Sequence, residues 1–403
     1  MQPANKNFSL AALRRNYANP HAFYDQLRAH DGIYFDASSQ SWLVTGYAPM
    51  LAILSDRRFS SNLGGGPKPA APSATSFLHT AVHKQMVFLD GDAHQQAQSI
   101  LLAPLAQMVK KTPASIRSQV GAILADAQRT GQLDLVKDFA SPVSRMVIAQ
   151  VLGIPTDDHE TLIQIERWSD TFTDFTSGYL RGDIKDVQRL VEYFRALIEE
   201  KRRAPGDDLI SALIAAPTLF PEDDDLISNC IMIFSAGHVT SRKMFGNGIP
   251  VLMQQWDAWR QASRADEGLP RRIGEELLRM ITPTRYLIRQ ASEDIDLSAQ
   301  FPGNHQIRQG QRVFLFLEAA NYDPAEFPHP AHFDPHRGSN KHIAFGYGPH
   351  RCPGAALGRL ELQIAIEMLL ERVDLRPKPG AEPAWDPNPN LGGYASYAAL
   401  VGS

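Results

Sequence analysis

One of the chain's two cysteines, Cys352, lies in a glycine-rich stretch, residues 345–354, immediately before a run of helix formers. Pro353 suits the first position of a helix, and Gly354 allows another group to approach the backbone closely. We therefore expect Cys352 at the N-terminal end of a helix over residues 355–370, where unpaired N–H groups and the helix dipole favour a thiolate. The glycines leave one face of the loop without side chains. A thiolate beside such a surface is what an axial ligand of haem iron requires, and a structural cysteine near a glycine turn is the alternative.

The pattern F-G-x-G-x-H-x-C-x-G over this stretch resembles the haem-ligand loop of the cytochrome P450 monooxygenases. All six fixed positions are present, and the flanking residues 340–344 and 355–361 agree as well. The resemblance implies that the protein binds haem b, with Cys352 as the axial iron ligand that favours O–O cleavage. The loop residues that it places against the haem are Phe345, Gly346, His350, Cys352 and Gly354.

A second stretch, residues 226–255, begins as a predicted helix that is apolar on nearly every side. A helix of this kind is buried, so we interpret Cys230 as a core residue. The polar residues 235–241 then interrupt the helix, which is costly in a buried position unless they have a function. A gap or distortion at Gly237 would open the helix towards a ligand, and Thr240 would offer that ligand a hydroxyl.

This polar interruption resembles the family's A-G-x-[DE]-T site of oxygen activation beside the iron, but Val239 stands in the place of the acid. The acid takes part in proton relay in most members, and valine cannot relay a proton. Three outcomes stay open: the carboxylate is dispensable here, dioxygen is handled differently or with an acid of the substrate, or activity is lost. The catalytic candidates that the resemblance implies are Ala236, Gly237, Val239, Thr240 and Ser241.

Polar side chains elsewhere in the chain match positions that hold the haem propionates in the family. They are His94, Gln98, Arg289 and His350. The family usually has His-x-x-x-Arg at the first two positions, so Gln98 is a departure that leaves the propionate less well neutralised on this side. Without the resemblance, His94 would be interpreted as an ordinary surface histidine.

Three side chains fall where the resemblance implies a substrate pocket: Thr284, Tyr286 and Phe175. Phe175 lies near the joint of two predicted amphipathic segments within residues 159–204, the mobile lid of the family, and suits the core equally well. Arg285 could anchor an anionic substrate, but we expect it to be solvated. The breaker-rich residues 64–72 are expected to form a flexible loop, which lies over the pocket in the family.

Glu276 and Arg279 lie three residues apart on a predicted helix and can pair on one face. Such pairs are common on solvated helices, so this pattern alone is weak evidence. In the family the pair is buried and is joined by a later arginine, which Arg337 matches. The resemblance therefore implies a structural role, in which charge-assisted hydrogen bonds hold the loop that carries the cysteine.

The composition narrows the class of protein. The chain has 403 residues, of which 43% are hydrophobic and 21% charged, as in soluble globular proteins. A net charge of -4 and a pI near 6.4 give no indication of a nucleic-acid partner. The two cysteines are far apart, which indicates neither a disulfide framework nor a zinc site. No apolar run reaches the roughly 18–20 residues of a membrane span, and no signal peptide is seen, so we expect a cytoplasmic protein without a membrane partner.

The resemblance runs from about residue 17 to the end of the chain, and its motifs occur in the family's order. It implies a mainly α fold with small β-sheets, the cytochrome P450 fold, as a single haem domain over residues 1–403 with a tail at residues 1–16. The implied enzyme is a monooxygenase that oxidises a small organic substrate, such as a secondary metabolite, with O2. The chain carries no flavin, nicotinamide or ferredoxin signature, so electrons would come from a separate partner such as ferredoxin and its reductase.

Two other functions stay open. Val239 in place of the acid motivates a non-standard oxidase of the same fold, which would perform oxidative coupling, cyclisation, desaturation or a peroxide-driven reaction. The less favoured alternative is a haem-binding module without turnover.

Overall fold

The computed structural model describes residues 9–15, 20–29, 32–63, 82–179, 181–216, 220 and 222–402, with the backbone alone at residues 14 and 15. The loop predicted at residues 64–72 and most of the predicted tail lie outside these ranges. The described residues form mainly helices with small sheets, which confirms the predicted fold class. Within these ranges, no helix combines the length and the apolar character that crossing a bilayer requires.

The helices of the described residues are α1 (Leu10–Arg15), α2 (His21–Arg28), α3 (Tyr47–Ser55), α4 (Gly91–Lys111), α5 (Pro113–Thr130), α6 (Ser141–Leu152), α7 (His159–Thr176), α8 (Ile184–Arg203), α9 (Leu209–Ile214), α10 (Asp223–Met253), α11 (Trp256–Ala265), α12 (Leu269–Ile281), α13 (Leu317–Ala320) and α14 (Ala355–Arg372). The strands are β1 (Ile33–Asp36), β2 (Ser41–Val44), β3 (Phe59–Ser60), β4 (Gln132–Asp134), β5 (Tyr286–Ala291), β6 (Ile295–Asp296), β7 (Gln306–Ile307), β8 (Arg312–Phe316), β9 (Asp374–Pro377), β10 (Ala384–Asp386), β11 (Gly393–Ser396) and β12 (Ala398–Gly402). Shorter helical turns are Val82–Lys84, Met86–Phe88, Leu135–Ala140 and Gly348–His350.

The chain divides into two compact units, each assembled from three segments that are distant in sequence. The first unit comprises Met1–Leu63, Glu275–Cys352 and Pro387–Gly392. The second unit comprises Gly64–Gly274, Pro353–Asp386 and Gly393–Ser403. The segments of the two units alternate along the chain, so neither unit corresponds to one continuous stretch. The single haem domain over residues 1–403 stays a prediction.

The first unit is built on a five-stranded sheet in the order β1-β2-β8-β5-β3. β1 and β2 form an antiparallel hairpin, β2 pairs in parallel with β8, and β5 runs antiparallel to β8 and β3. Alternate residues of β8 enter two apolar clusters: Val313 and Leu315 pack in one, while Phe314 and Phe316 pack in the other. Side chains alternate across a strand, so this sheet is covered on both faces and holds β5 firmly.

The second unit is organised around α10, which has 31 residues and packs against α6, α7 and α8. Three aspartates in its first turn lie at the positive end of the helix dipole. Cys230 is fully buried, which confirms its prediction as a core residue, and burial raises the pKa of its thiol well above the ordinary value. α7 and α8 confirm the two amphipathic segments predicted within residues 159–204.

Candidate functional site

The loop that carries Cys352 is a tight turn that depends on glycine. The amide of Cys352 donates to the carbonyl of Phe345 at 2.8 Å, which closes the turn. Gly346 and Gly348 have φ values of +70° and +71°, a region that L side chains rarely adopt. A Cβ on Gly348 would also lie 2.5 Å from the carbonyl oxygen of Leu54. The turn leaves Cys352 exposed.

The helix that follows the loop begins slightly later than Pro353 predicts. α14 starts at Ala355, and Gly354 occupies the N-cap. Pro353 therefore precedes the helix, and its predicted place at the first helical position is wrong. The predicted helix over residues 355–370 is confirmed, because α14 spans Ala355–Arg372. Cys352 lies three residues before the first residue of this helix.

The side chains predicted to bind propionates occupy ordered positions in their units. In the first unit, Arg289 is buried on β5 and donates to the carbonyl of Ile288 at 2.9 Å. Nε2 of His350 lies 3.1 Å from the hydroxyl oxygen of Ser61. In the second unit, the predicted pair lies one helical turn apart on α4, with His94 buried and Gln98 half-buried. An ordinary surface histidine would not be buried to this extent.

The structure brings Glu276, Arg279 and Arg337 together. Nε and Nη2 of Arg279 donate to the carboxylate of Glu276 at 2.9 and 2.8 Å, and both side chains are fully buried. Nη2 of Arg337 approaches the same carboxylate at 3.4 Å. The guanidinium of Arg279 and the carboxylate of Glu276 are planar and opposite in charge, so they form a bidentate, charge-assisted pair.

This ion pair holds the backbone that leads to the cysteine loop. The carboxylate of Glu276 accepts from the amide of Asp334 at 3.1 Å and from Nδ2 of Asn340 at 3.0 Å. Arg279 donates to the carbonyl of Asn321, whose side chain accepts from the amide of Ile343 at 2.8 Å. The segment before the loop is therefore tied to α12 at several points.

The prediction that Arg285 is solvated is wrong. It is 6% exposed, and its Nε lies 3.5 Å from Oε2 of Glu318. The same carboxylate accepts from the hydroxyl of Tyr24 at 3.0 Å. Glu318 comes from α13 and Tyr24 from α2, so the burial of Arg285 depends on residues distant in sequence.

The three predicted pocket residues have different surroundings. Thr284 is half-buried just before β5. Tyr286 is buried in an apolar cluster, with its ring centroid 5.7 Å from that of Phe314 and 5.6 Å from that of Phe316. Phe175 is half-buried near the end of α7. Tyr286 thus forms part of the core of its unit.

The polar turn of α10 is regular helix. α10 is α-helical from Asp223 to Met253, so the opening predicted at Gly237 is wrong. A Cβ on Gly237 would lie 2.6 Å from the side chain of Ile148, so the glycine lets α6 approach closely. Oγ1 of Thr240 donates to the carbonyl of Ala236 at 2.6 Å, a back-bond to the preceding turn.

One face of this turn is accessible although the helix around it is buried. Ala236 is exposed, and Gly237, Thr240 and Ser241 are half-buried. Val239 is buried, with an exposed fraction of 4%. The accessible face therefore presents a small apolar surface flanked by two hydroxyls.

A carboxyl that the sequence analysis did not single out lies beside this face. The hydroxyl of Ser241 donates to Oε2 of Glu361 on α14 at 2.8 Å. Glu361 is 2% exposed, and its Oε1 is buried without a hydrogen-bond partner among the described residues. Burial raises the pKa of Glu361 to about 7, although the Ser241 bond acts the other way. The signal in the sequence was a glutamate between two leucines, Leu360 and Leu362.

Each unit, taken by itself, carries side chains of the types that haem binding uses. The first unit supplies an exposed thiol on a glycine turn and a buried arginine, Arg289. The second supplies an accessible apolar face at Ala236 and a buried histidine, His94. Among the described residues, no group of three or more His, Cys, Asp or Glu side chains could hold a metal ion. In the first unit, the exposed thiol of Cys352 is the type of ligand that haem iron takes.

Comparisons with known proteins agree with this chemistry. A family model described as cytochrome P450 matches residues 271–394. The biotin biosynthesis cytochrome P450 of Bacillus subtilis is 34% identical over 368 residues, which cover 88% of this chain and 89% of that protein. A steroid C26-monooxygenase of Mycobacterium tuberculosis is 30% identical over 366 residues, which cover 88% of this chain and 86% of that protein. The crystal structure of P450BioI, in complex with acyl carrier protein ligated to hexadec-9Z-enoic acid, has a TM-score of 0.86 at 29% identity and covers 97% of this chain and 100% of that chain.

Proposed function

Since the chain belongs to the cytochrome P450 family, we propose that it inserts one atom of dioxygen into a small organic substrate, with Cys352 as the ligand of the haem iron. Members of this family are oxidoreductases that hold haem b through a cysteine thiolate. Of the two cysteines, Cys352 is exposed and Cys230 is buried. This difference carries the assignment, because a fully buried thiol in a packed helix has no room for a porphyrin.

The haem would be held by residues of the cysteine loop and by side chains for its propionates. They are Phe345, Gly346, His350, Cys352 and Gly354 in and beside the loop, with His94, Gln98 and Arg289 for the propionates. When bound, the haem supplies the oxidising chemistry, which a thiolate ligand promotes. The protein supplies positioning, exclusion of water and the delivery of protons.

Proton delivery is the part that Val239 leaves open. Insertion of one oxygen atom from dioxygen, with reduction of the other to water, consumes two electrons and two protons. Glu361 has a pKa of about 7 and is therefore a proton donor near neutral pH. Its bond to Ser241 leads to the residue next to Thr240 on α10. We assign Glu361 and Ser241 to the role that the missing acid has in other members.

This source of protons supports the monooxygenase over the non-standard oxidase. The oxidase alternative rests on the absence of the acid at Val239, and Glu361 of α14 provides a buried carboxyl that accepts a hydrogen bond from Ser241 of α10. The electrons would come from a separate donor such as ferredoxin and its reductase. We also propose a cytoplasmic location, which the bacterial relatives support.

A long acyl chain is the substrate class that we favour. One relative is named for biotin biosynthesis, and one structural neighbour was solved with a carrier protein ligated to a C16 unsaturated acid. The accessible face of α10 beside Thr240 consists of Ala236 and Gly237 and carries no charge. Such a surface suits a hydrocarbon chain.

The ligand assignment is tested by the absorption spectrum of the reduced protein with carbon monoxide. We expect the far-red-displaced band of a thiolate-ligated haem in the wild type and in Cys230→Ala, and its loss in Cys352→Ser. A wild type without this band, or a Cys352→Ser variant that keeps it, contradicts the proposal. Incubation with hexadec-9Z-enoic acid, free and carrier-bound, tests the substrate class, and a product with one added oxygen is expected.

A further inference from the structure

A seam of polar side chains joins α7 to α10. At one end, the hydroxyl oxygens of Ser169 and Ser235 lie 2.6 Å apart, and both residues are buried. Further along, the carboxylate of Asp170 contacts Arg242 and His238 of α10, and the carboxylate of Glu166 contacts Arg242. The seam residues on α10 are Ser235, His238 and Arg242. Their spacing of three and four residues places them on one face of that helix.

Arg242 binds both carboxylates of α7. Its Nη1 donates to Glu166 at 2.8 Å and to Asp170 at 2.9 Å, and its Nη2 donates to Asp170 at 2.7 Å. The guanidinium is 14% exposed, so these bonds are largely shielded from water. A planar guanidinium with two carboxylate partners has one preferred orientation, unlike a single surface ion pair.

His238 is a second residue of α10 that contacts Asp170. It is fully buried, with Nδ1 at 3.1 Å from the carbonyl of Phe234 and Nε2 at 3.3 Å from Asp170. Burial alone would raise the pKa of Asp170, but the charge of Arg242 and the bond from His238 lower it. Arg145 of α6 pairs with Glu166 on the far side.

Thr240 lies between His238 and Arg242 in the sequence of α10. His238 and Arg242 are four residues apart and face α7, whereas Thr240 is two residues from each and therefore faces another side. The hydroxyl of Thr240 is engaged with the carbonyl of Ala236 at 2.6 Å. α7 therefore contacts this turn of α10 on a different side from the one that carries the hydroxyl.

We propose that Arg242 is a positioning residue for Thr240, which it aligns by binding Glu166 and Asp170 of α7 with the help of His238. This inference rests on the role of Thr240 in the proposed function. A polar seam also selects one register of the two helices, because a shift leaves buried charges unpaired.

The test measures the fraction of donor electrons recovered in product, together with hydrogen exchange of the backbone amides of residues 236–242, in the haem-loaded protein. The variants are Arg242→Gln and Arg242→Lys. Arg195→Gln is the control, because Arg195 joins α8 to α10 through Asp224 at 2.8 Å but is exposed. Each is also made in a Thr240→Ala background.

Arg242→Gln is expected to lower the recovered fraction about tenfold, since a small misplacement of a reacting group is costly. It should also accelerate hydrogen exchange at residues 236–242. Arg242→Lys should partly restore both the recovered fraction and the slow exchange, and Arg195→Gln should change neither quantity. In Thr240→Ala the same substitution should have little further effect on recovery, because residues that act together are not additive.

The inference is overturned if the losses from Arg242→Gln and Thr240→Ala add, or if Arg242→Gln leaves exchange at residues 236–242 unchanged. A wild type that consumes electrons without product would instead contradict the proposed function. Exchange does not depend on turnover, so it separates these two failures.

Discussion

The hydroxyl of Ser241 lies 2.8 Å from Oε2 of Glu361, although 120 residues separate them in the chain. This bond joins the helix that carries Thr240 to the helix that follows Cys352. The other carboxyl oxygen of Glu361 is buried without a hydrogen-bond partner among the described residues. A carboxyl in this setting prefers to hold its proton, which makes it an acid that is available near neutral pH.

Stability should depend on pH through Glu361. Burial raises its pKa from 4.5 to about 7, so the folded protein binds this proton more tightly than the unfolded chain does. The stabilisation of the folded protein by this proton is fully present below pH 4.5 and is lost as the pH rises through about 7. The free energy of unfolding should fall by up to about 3 kcal/mol over this range. Glu361→Gln should remove this dependence and gain stability over the wild type at pH 8. Denaturant unfolding of the wild type and of Glu361→Gln at pH 5 and pH 8 measures these free energies of unfolding. An equal change with pH in the two proteins would refute the prediction.

Turnover should depend on the same pair. Glu361→Gln and Ser241→Ala should each lower product formation by about 10- to 100-fold, because each interrupts proton delivery. The control is Glu367→Gln, which removes a carboxylate from the same helix that pairs with Arg117 at the surface. Product formation is measured against pH. The wild type should show an inflection near pH 7 that Glu361→Gln lacks, and an inflection that persists in Glu361→Gln assigns the titration to another group.

Two glycines of the cysteine loop should respond differently to alanine. Both have φ near +70°, so each substitution costs about 1–2 kcal/mol of backbone strain. A Cβ on Gly348 would also lie 2.5 Å from the carbonyl oxygen of Leu54, whereas the nearest atom to a Cβ on Gly346 is at 3.7 Å. Gly348→Ala should therefore lose the thiolate-haem band with carbon monoxide, and Gly346→Ala should keep most of it. Equal retention of the band would show that the clash with Leu54 is relieved at no cost.

The buried pair of Glu276 and Arg279 should be needed for stability. Removing one partner leaves an uncompensated buried charge, so Arg279→Gln should lower the free energy of unfolding by about 3–5 kcal/mol. The control is Arg129→Gln, which removes an exposed pair with Asp126 and should change stability by less than about 0.5 kcal/mol. Thermal unfolding measures the stability of both variants, and the amount of haem that each retains is a second signal. A similar small change in the two variants would mean that the pair contributes little.

The sequence by itself determined the features that depend on neighbouring residues. The cysteine loop is ten consecutive residues, so its glycines, Cys352 and the following helix could be recognised together. The apolar character of α10 predicted a buried helix with Cys230 in the core, and the structure confirms both. These predictions succeed because helical periodicity and turn chemistry are encoded within a few residues of each other.

The tertiary structure alone decided the contacts between distant elements. It buried Arg285 against Glu318 where exposure was expected, and it packed Ile148 against Gly237 within a continuous α10. It also placed Glu361 beside Ser241, which supplied a carboxyl where Val239 had suggested none. The reason is that the cost of burying a charge, and the pKa that results, depend on which partners the fold brings within a few ångströms, and a local pattern carries no record of them.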